Sequence, residues 1–193
     1  MRNEPYKTVE TEKEILKIYQ NCSEIDNPRD WDNLGTMACS HKRYSLGDTI
    51  EKHEVNFDKY NGWGEAYEAI QRDNDTAIIL PLYLYDHSGI TMRTTSFNDG
   101  WDSGQVGFIF ISKEKVREEY SVKRISPKLL ERVKGYLLNE VETYDQYLTG
   151  EVYSFELTDI DGNHIDSCGG FYGDDFNTNG IADHVGKELI ELL

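Results

Sequence analysis

The stretch LPLYLYDHSGITMRTTSF, residues 80–97, constrains the fold more than any other part of the chain. The run from Ala77 to Tyr85 is apolar at both parities. An amphipathic helix needs only one apolar face, so this run predicts a central β-strand covered on both sides. Asp86, His87 and Ser88 follow it in succession, ahead of Gly89. A Ser-His-Asp arrangement requires the histidine to reach the serine while the acid orients the histidine, and three consecutive turn residues do not allow that. The four residues instead read as a hairpin turn into Ile90 to Phe97, where Ile90, Met92 and Thr94 alternate with Thr91, Arg93 and Thr95. Two functional readings stay open for Asp86 and His87: His87 as a single general base, with Asp86 or Asp48 as its carboxylate partner, and a role of the turn in partner binding.

The remaining elements surround that strand. EILKIYQ, residues 14–20, suits helix and strand equally by composition and is assigned as a strand. NPRDWDNLG, residues 27–35, is turn chemistry throughout and predicts an ordered loop. Trp63, Ala66, Tyr67 and Ile70 recur at helical spacing, and Gln105 to Ile111 reads as a strand leading into a basic helix from Lys113 to about Tyr120. Ser126 and Pro127 then form an N-cap and first helical position. In the helix they open, 127–148, Leu130, Val133, Leu137, Val141, Tyr144 and Leu148 advance by threes and fours until Gly150 stops it. Glu151 to Leu157 and Ile165 to Tyr172 read as a hairpin about Asp161-Gly162, and Ala182 to Leu193 as a terminal helix. The expectation is an α+β fold with a mostly antiparallel sheet, packed by the long helix and the C-terminal helix, in a single domain of residues 1–193.

Charge narrows the function classes. The net charge is −16, and from Glu140 to Leu193 thirteen acids face one base, Lys187. Ser112 to Lys134 is the opposite, with eight bases against four acids. Such a field repels nucleic acid from most of the surface and attracts basic proteins or cations. Glu140, Glu142, Asp145, Asp174 and Asp175 are the candidate contact residues for a basic or nucleic-acid-binding partner protein, and direct nucleic-acid binding is not expected. No run approaches the length of about 20 apolar residues that spans a bilayer, Met1 to Thr11 lacks a signal-peptide core, and three scattered cysteines form no disulfide framework. The expected location is the cytoplasm, away from the membrane.

Metal chemistry has two candidates. DFNTNGIADHVG, residues 175–186, places Asp175, Asn177, Asn179, Gly180 and Asp183 at five positions of an EF-hand calcium loop, but Gly186 stands where the bidentate glutamate belongs unless Glu188 replaces it. Cys39 and His41, joined by Cys168, His164 or Cys22, would make a zinc set without the usual paired spacing. A polar loop and ordinary thiols explain the same residues, so the expectation is no cofactor, with calcium as the one alternative. No Walker loop, G-x-G-x-x-G or G-x-S-x-G occurs.

The segments DNPRDWDNLGTM, HKRYSLGD, LPLYLYDHSGITM, WDSGQVGFIFISKEKVREEY, EVETYDQYLTGEVYSFEL and DSCGGFYGDD resemble those of a family of small acidic proteins of bacteriophages and other mobile elements. The resemblance spans most of the chain and implies a viral or mobile-element context, with no catalytic residue or cofactor to carry over. With the charge, it leads to the expectation of a non-enzymatic interaction protein that inhibits a host defence or nucleic-acid enzyme, of anti-CRISPR or anti-restriction type, by acidic mimicry. The alternative is a small enzyme or metal-binding protein using Asp86, His87 and the polar loops.

Overall fold

A computed structural model describes residues 4–20, 25–98 and 100–193. The fold is α+β, with two four-stranded antiparallel sheets. The chain divides into two compact units, one formed by its two ends, up to Asn27 and from Gln146, and the other by Pro28–Asp145.

In the unit formed by the ends, β1 (Lys7–Glu10), β2 (Glu14–Gln20), β7 (Val152–Asp159) and β8 (His164–Tyr172) lie side by side in that order. Strand β2 buries Leu16 and Ile18 at period two, which is what makes EILKIYQ a strand. Those two side chains join Tyr153, Phe155, Leu157, Phe176 and Ile181 in one apolar cluster. The C-terminal segment also belongs to this cluster, through Val185, Leu189 and Ile190. It is not the continuous helix expected over 182–193. A 3-10 turn at Ile181–Asp183 gives way to extended backbone at Gly186, and only α5 (Lys187–Ile190) is helical. Glycine is a poor helix former, and here its extended backbone separates the 3-10 turn from α5.

The second unit holds the order β3 (Thr36–Cys39), β6 (Ser103–Ser112), β4 (Thr76–Asp86) and β5 (Ile90–Arg93). Strand β4 is the apolar run of the sequence. Strand β5 pairs only with Tyr83 to Asp86, so the first half of β4 lies on an edge. That explains how the sheet tolerates Pro81, which has no amide to give a second neighbour. The β4–β5 connection is the three-residue loop His87-Ser88-Gly89, in which Ser88 takes the left-handed conformation at φ 58°. Helices α1 (Ile50–His53) and α2 (Trp63–Asp73) lie between β3 and β4, α3 (Lys113–Glu119) follows β6 directly, and Ala66 and Ile70 of α2 pack with Phe108 and Phe110 of β6.

The long helix α4 (Pro127–Thr149) buries Val133, Leu137, Val141 and Tyr144, the stripe that its periodicity marks. Gly35 permits the close approach of the preceding loop: a Cβ there would meet Leu137 Cδ2 at 2.5 Å and Ile109 Cδ1 at 3.0 Å. Strands β1 and β3 have no counterpart in the sequence reading, because four residues of mixed polarity carry too little periodicity to stand out. Leu82 and Leu84 of β4 are both sealed from solvent and share a face. Leu82→Ala is therefore expected to destabilise the protein by roughly 2–5 kcal/mol in urea unfolding. A change near zero would mean that this strand is not in the core.

Candidate functional site

The loop NPRDWDNLG is organised by a buried cation. Arg29 is 2% exposed. Its Nε donates to Asp48 Oδ1 at 2.9 Å and its Nη2 to Asp48 Oδ2 at 3.0 Å, a two-pronged pair, while Nη1 donates to Glu140 Oε2 at 3.0 Å and Nη2 also to the Gly35 carbonyl at 2.8 Å. Burial pulls this guanidinium down. The hydrogen bonds and charges of Asp48 and Glu140 outweigh that, and it stays above its ordinary value.

The carboxylates hold backbone as well as charge. Asp48 Oδ2 accepts the Met37 amide at 2.7 Å, and Glu140 Oε1 accepts those of Leu34 and Gly35 at 2.7 and 3.1 Å. Lys52 Nζ donates to the Arg29 carbonyl and Lys115 Nζ to that of Asn33, at 2.8 and 2.7 Å. The loop is thus fixed to α1, α3 and α4, and its outer side chains are placed with little freedom.

Those outer side chains form one wall of a groove of about 440 Å³, with Trp31, Asp32 and Leu34 facing Glu119 and Tyr120 at the end of α3 and Arg132, Tyr136 and Glu140 on α4. Trp31 and Tyr136 are large rings left 47% and 42% exposed at its edge. The Arg132 guanidinium lies 5.4 Å from the Tyr120 ring centre and 5.6 Å from that of Tyr136, and it donates to the Tyr136 hydroxyl at 3.1 Å. A wall of aromatic faces with carboxylates beside them suits a cationic or aromatic side chain of a partner protein, through ring stacking, cation–π attraction and ion pairing.

The acidic residues singled out by the sequence are dispersed. Glu140 is engaged with Arg29, and Asp145 accepts from Thr91 Oγ1 and the Met92 amide at 2.8 and 2.6 Å, anchoring α4 to β5. Glu142 stands exposed on the same helix. Asp174 and Asp175 are exposed in the other unit.

In the loop after β8, Asp175 is turned onto its own backbone. It accepts from Thr178 Oγ1 at 2.9 Å, the Asn177 amide at 3.1 Å and the Asn177 side-chain amide at 3.3 Å, and those bonds hold its carboxyl below the usual carboxylate range. Asn179 donates to the Gly173 carbonyl and accepts the Ile181 amide, so both of its polar ends are occupied, and Asp183 lies exposed in the 3-10 turn.

Burial pushes the Cys39 thiol up to about 12, His41 stacks on Tyr44, and His164 Nε2 lies 3.0 Å from Ser167 Oγ. Cys22 lies outside the described residues. Among the described residues, no group of three or more His, Cys, Asp or Glu converges in a way that would hold a metal.

The opening turn answers differently from its sequence. Asp86 accepts from the Arg43 guanidinium and, at 3.2 Å, from the Tyr44 hydroxyl. His87 is exposed, and the carboxylate beside it is Asp102, 2.9 Å from its Nδ1. Asp86 and Asp48 thus have other partners, and the residue that joins His87 was not among the candidates. It sits one residue before β6, opposite the start of the turn, where the Asp86 amide donates to its carbonyl.

The energetic centre of the site is the Arg29–Asp48 pair, whose side chains are 2% and 4% exposed. Asp48→Ala leaves most of the buried guanidinium unmatched and is expected to cost about 3–5 kcal/mol in denaturant unfolding. A loss below 1 kcal/mol, on the order of an exposed pair, would mean that water reaches the site. No family model matches this chain, and neither a curated protein nor a solved structure is detectably similar to it.

Proposed function

We propose that this is a non-enzymatic interaction protein of bacteriophage or mobile-element origin, acting in the host cytoplasm, and that the groove beside the Arg29 loop receives a basic segment of its target. The observation that carries the reading is the groove itself: Trp31, Tyr120 and Tyr136 around a 440 Å³ cleft, with Asp32 and Glu119 as the carboxylates not committed to Arg29 and Arg132 lying against the two tyrosine rings. Large half-exposed rings on a rigid frame bind at low entropic cost, and adjacent acids select a basic partner. The net charge of −16 adds steering over longer range. A host nucleic-acid enzyme, of the restriction or CRISPR kind, offers such basic surface because its own substrate is a polyanion. Exposed acids such as Glu142, Asp174 and Asp175 then stand in for phosphates.

A second reading rests on the 2.9 Å contact between His87 and Asp102, which would suit a general base. It separates cleanly from the first, because His87→Ala removes a catalytic base and leaves the groove intact.

The test is affinity capture from host-cell lysate with wild type and three variants. A stoichiometric protein retained by wild type should be lost at raised salt, and Trp31→Ala and Asp32→Lys should each weaken it by about tenfold or more, as removal of an interface anchor does. His87→Ala should retain it. A captured protein that binds all three variants equally would contradict the groove, and a phenotype lost only in His87→Ala would favour the enzyme.

A further inference from the structure

A second cleft in the same unit has the opposite character. It is open to solvent, has a volume of about 340 Å³ and is lined by Lys113, Arg117, Lys123 and Arg124 around Ala77, Ile125 and Leu130. Four cations converge on three apolar side chains in a protein with 36 acids and 20 bases. Of the four, Lys113 is paired, with Asp75, its Nζ 2.5 Å from Oδ1. Arg117, Lys123 and Arg124 form no ion pair among the described residues. Grouping three unpaired cations raises their mutual repulsion, which a bound anion relieves.

The backbone brings these residues together. Helix α3 ends at Glu119, Ser121 turns the chain in the left-handed conformation at φ 51°, and the Val122 amide donates back to the Arg117 carbonyl at 3.0 Å. That turn folds Lys123 and Arg124 over the last turn of α3, towards Arg117. Helix α4 starts two residues after Ile125 and presents Leu130 to the cleft from its first turn, so the positive end of a 23-residue helix dipole lies on the same side.

We infer that this cleft binds a small organic phosphate, with the phosphate held by Arg117, Lys123 and Arg124 and the organic part resting on Ala77, Ile125 and Leu130. The volume is at the small end of ligand sites, suited to a single ring system with one anionic group. Arginine supplies planar donors matched to phosphate oxygens, and lysine a compact charge. The site is independent of the groove proposed for a partner protein, since the two clefts share no lining residue.

The probe is 1-naphthyl phosphate, titrated into the full chain and followed by the amide shifts of Lys123, Arg124 and Ile125, with 1-naphthol and inorganic phosphate as half-ligand controls. Naphthyl phosphate should move those amides and bind more tightly than either half. Arg117→Gln and Lys123→Gln should each weaken it by about tenfold, the loss typical of a charged hydrogen bond. Arg117→Lys, which keeps the charge and loses the planar fork, should bind with an affinity between those of wild type and Arg117→Gln, and Trp31→Ala should bind as wild type does. Equal binding of naphthol and naphthyl phosphate, or shifts confined to other amides, would overturn the inference. So would tighter binding of a short DNA duplex than of naphthyl phosphate, which would make the patch a nucleic-acid contact.

Discussion

One buried guanidinium organises the unit that carries both clefts. Arg29 is removed from water, and only the carboxylates of Asp48 and Glu140 make that removal tolerable. A hydrophobic residue at this position would pack at less electrostatic cost. It would not give the loop its geometry, because both carboxylates also hold backbone amides, those of Met37, Leu34 and Gly35. The ion network thereby connects residues 28–35, the start of β3, the segment before α1 and the middle of α4. Packing reinforces it, as Gly35 lets Leu137 and Ile109 close over the loop.

Rigidity on the inside has a consequence on the outside. Pro28, Trp31, Asp32, Asn33 and Leu34 all border the groove while Arg29 points inward, so a single turn supplies both the anchor and the contact surface. Asn33 secures the turn itself, donating from its side chain to the Pro28 and Trp31 carbonyls at 2.9 and 3.0 Å. A ring presented from such a frame loses little freedom on binding. Charge is arranged with similar economy. Two acids of α4, Glu140 and Asp145, face the loop and β5, whereas bases of α3 and of the α3–α4 connection gather around an apolar floor.

Much of this architecture was legible in local sequence. The apolar run at 77–85, the helical spacing of Trp63 to Ile70, and the Ser126-Pro127 start of α4 each announce an element within a few residues. The 27–35 segment was legible as an ordered loop, since its proline, asparagine and aspartates are turn formers. Its inward arginine was not. Arginine in a polar turn is ordinarily solvated, and the partners that bury this one lie 19 and 111 residues along the chain. Glu140 was singled out as a surface charge for the same reason. The His87–Asp102 contact was missed because strand pairing, and not spacing, brings residue 102 back to the turn. Strand order in the two sheets was likewise beyond a local reading: β2 pairs with β7 in a register that runs from Gln20–Tyr153 to Glu14–Asp159, far apart in the chain, and nothing within EILKIYQ specifies that partner.

The Glu140 carboxylate holds the loop in the shape that forms the groove. Amide hydrogen exchange at Leu34 and Gly35 tests it directly, in wild type and in Glu140→Gln. Both amides are predicted to be strongly protected in wild type and to lose at least about tenfold of that protection in the variant, while the amides of Ile109 and Phe110 in β6 keep theirs. Rapid exchange of Leu34 and Gly35 in the wild-type protein, or protection indifferent to the variant, would mean that Glu140 does not hold the loop.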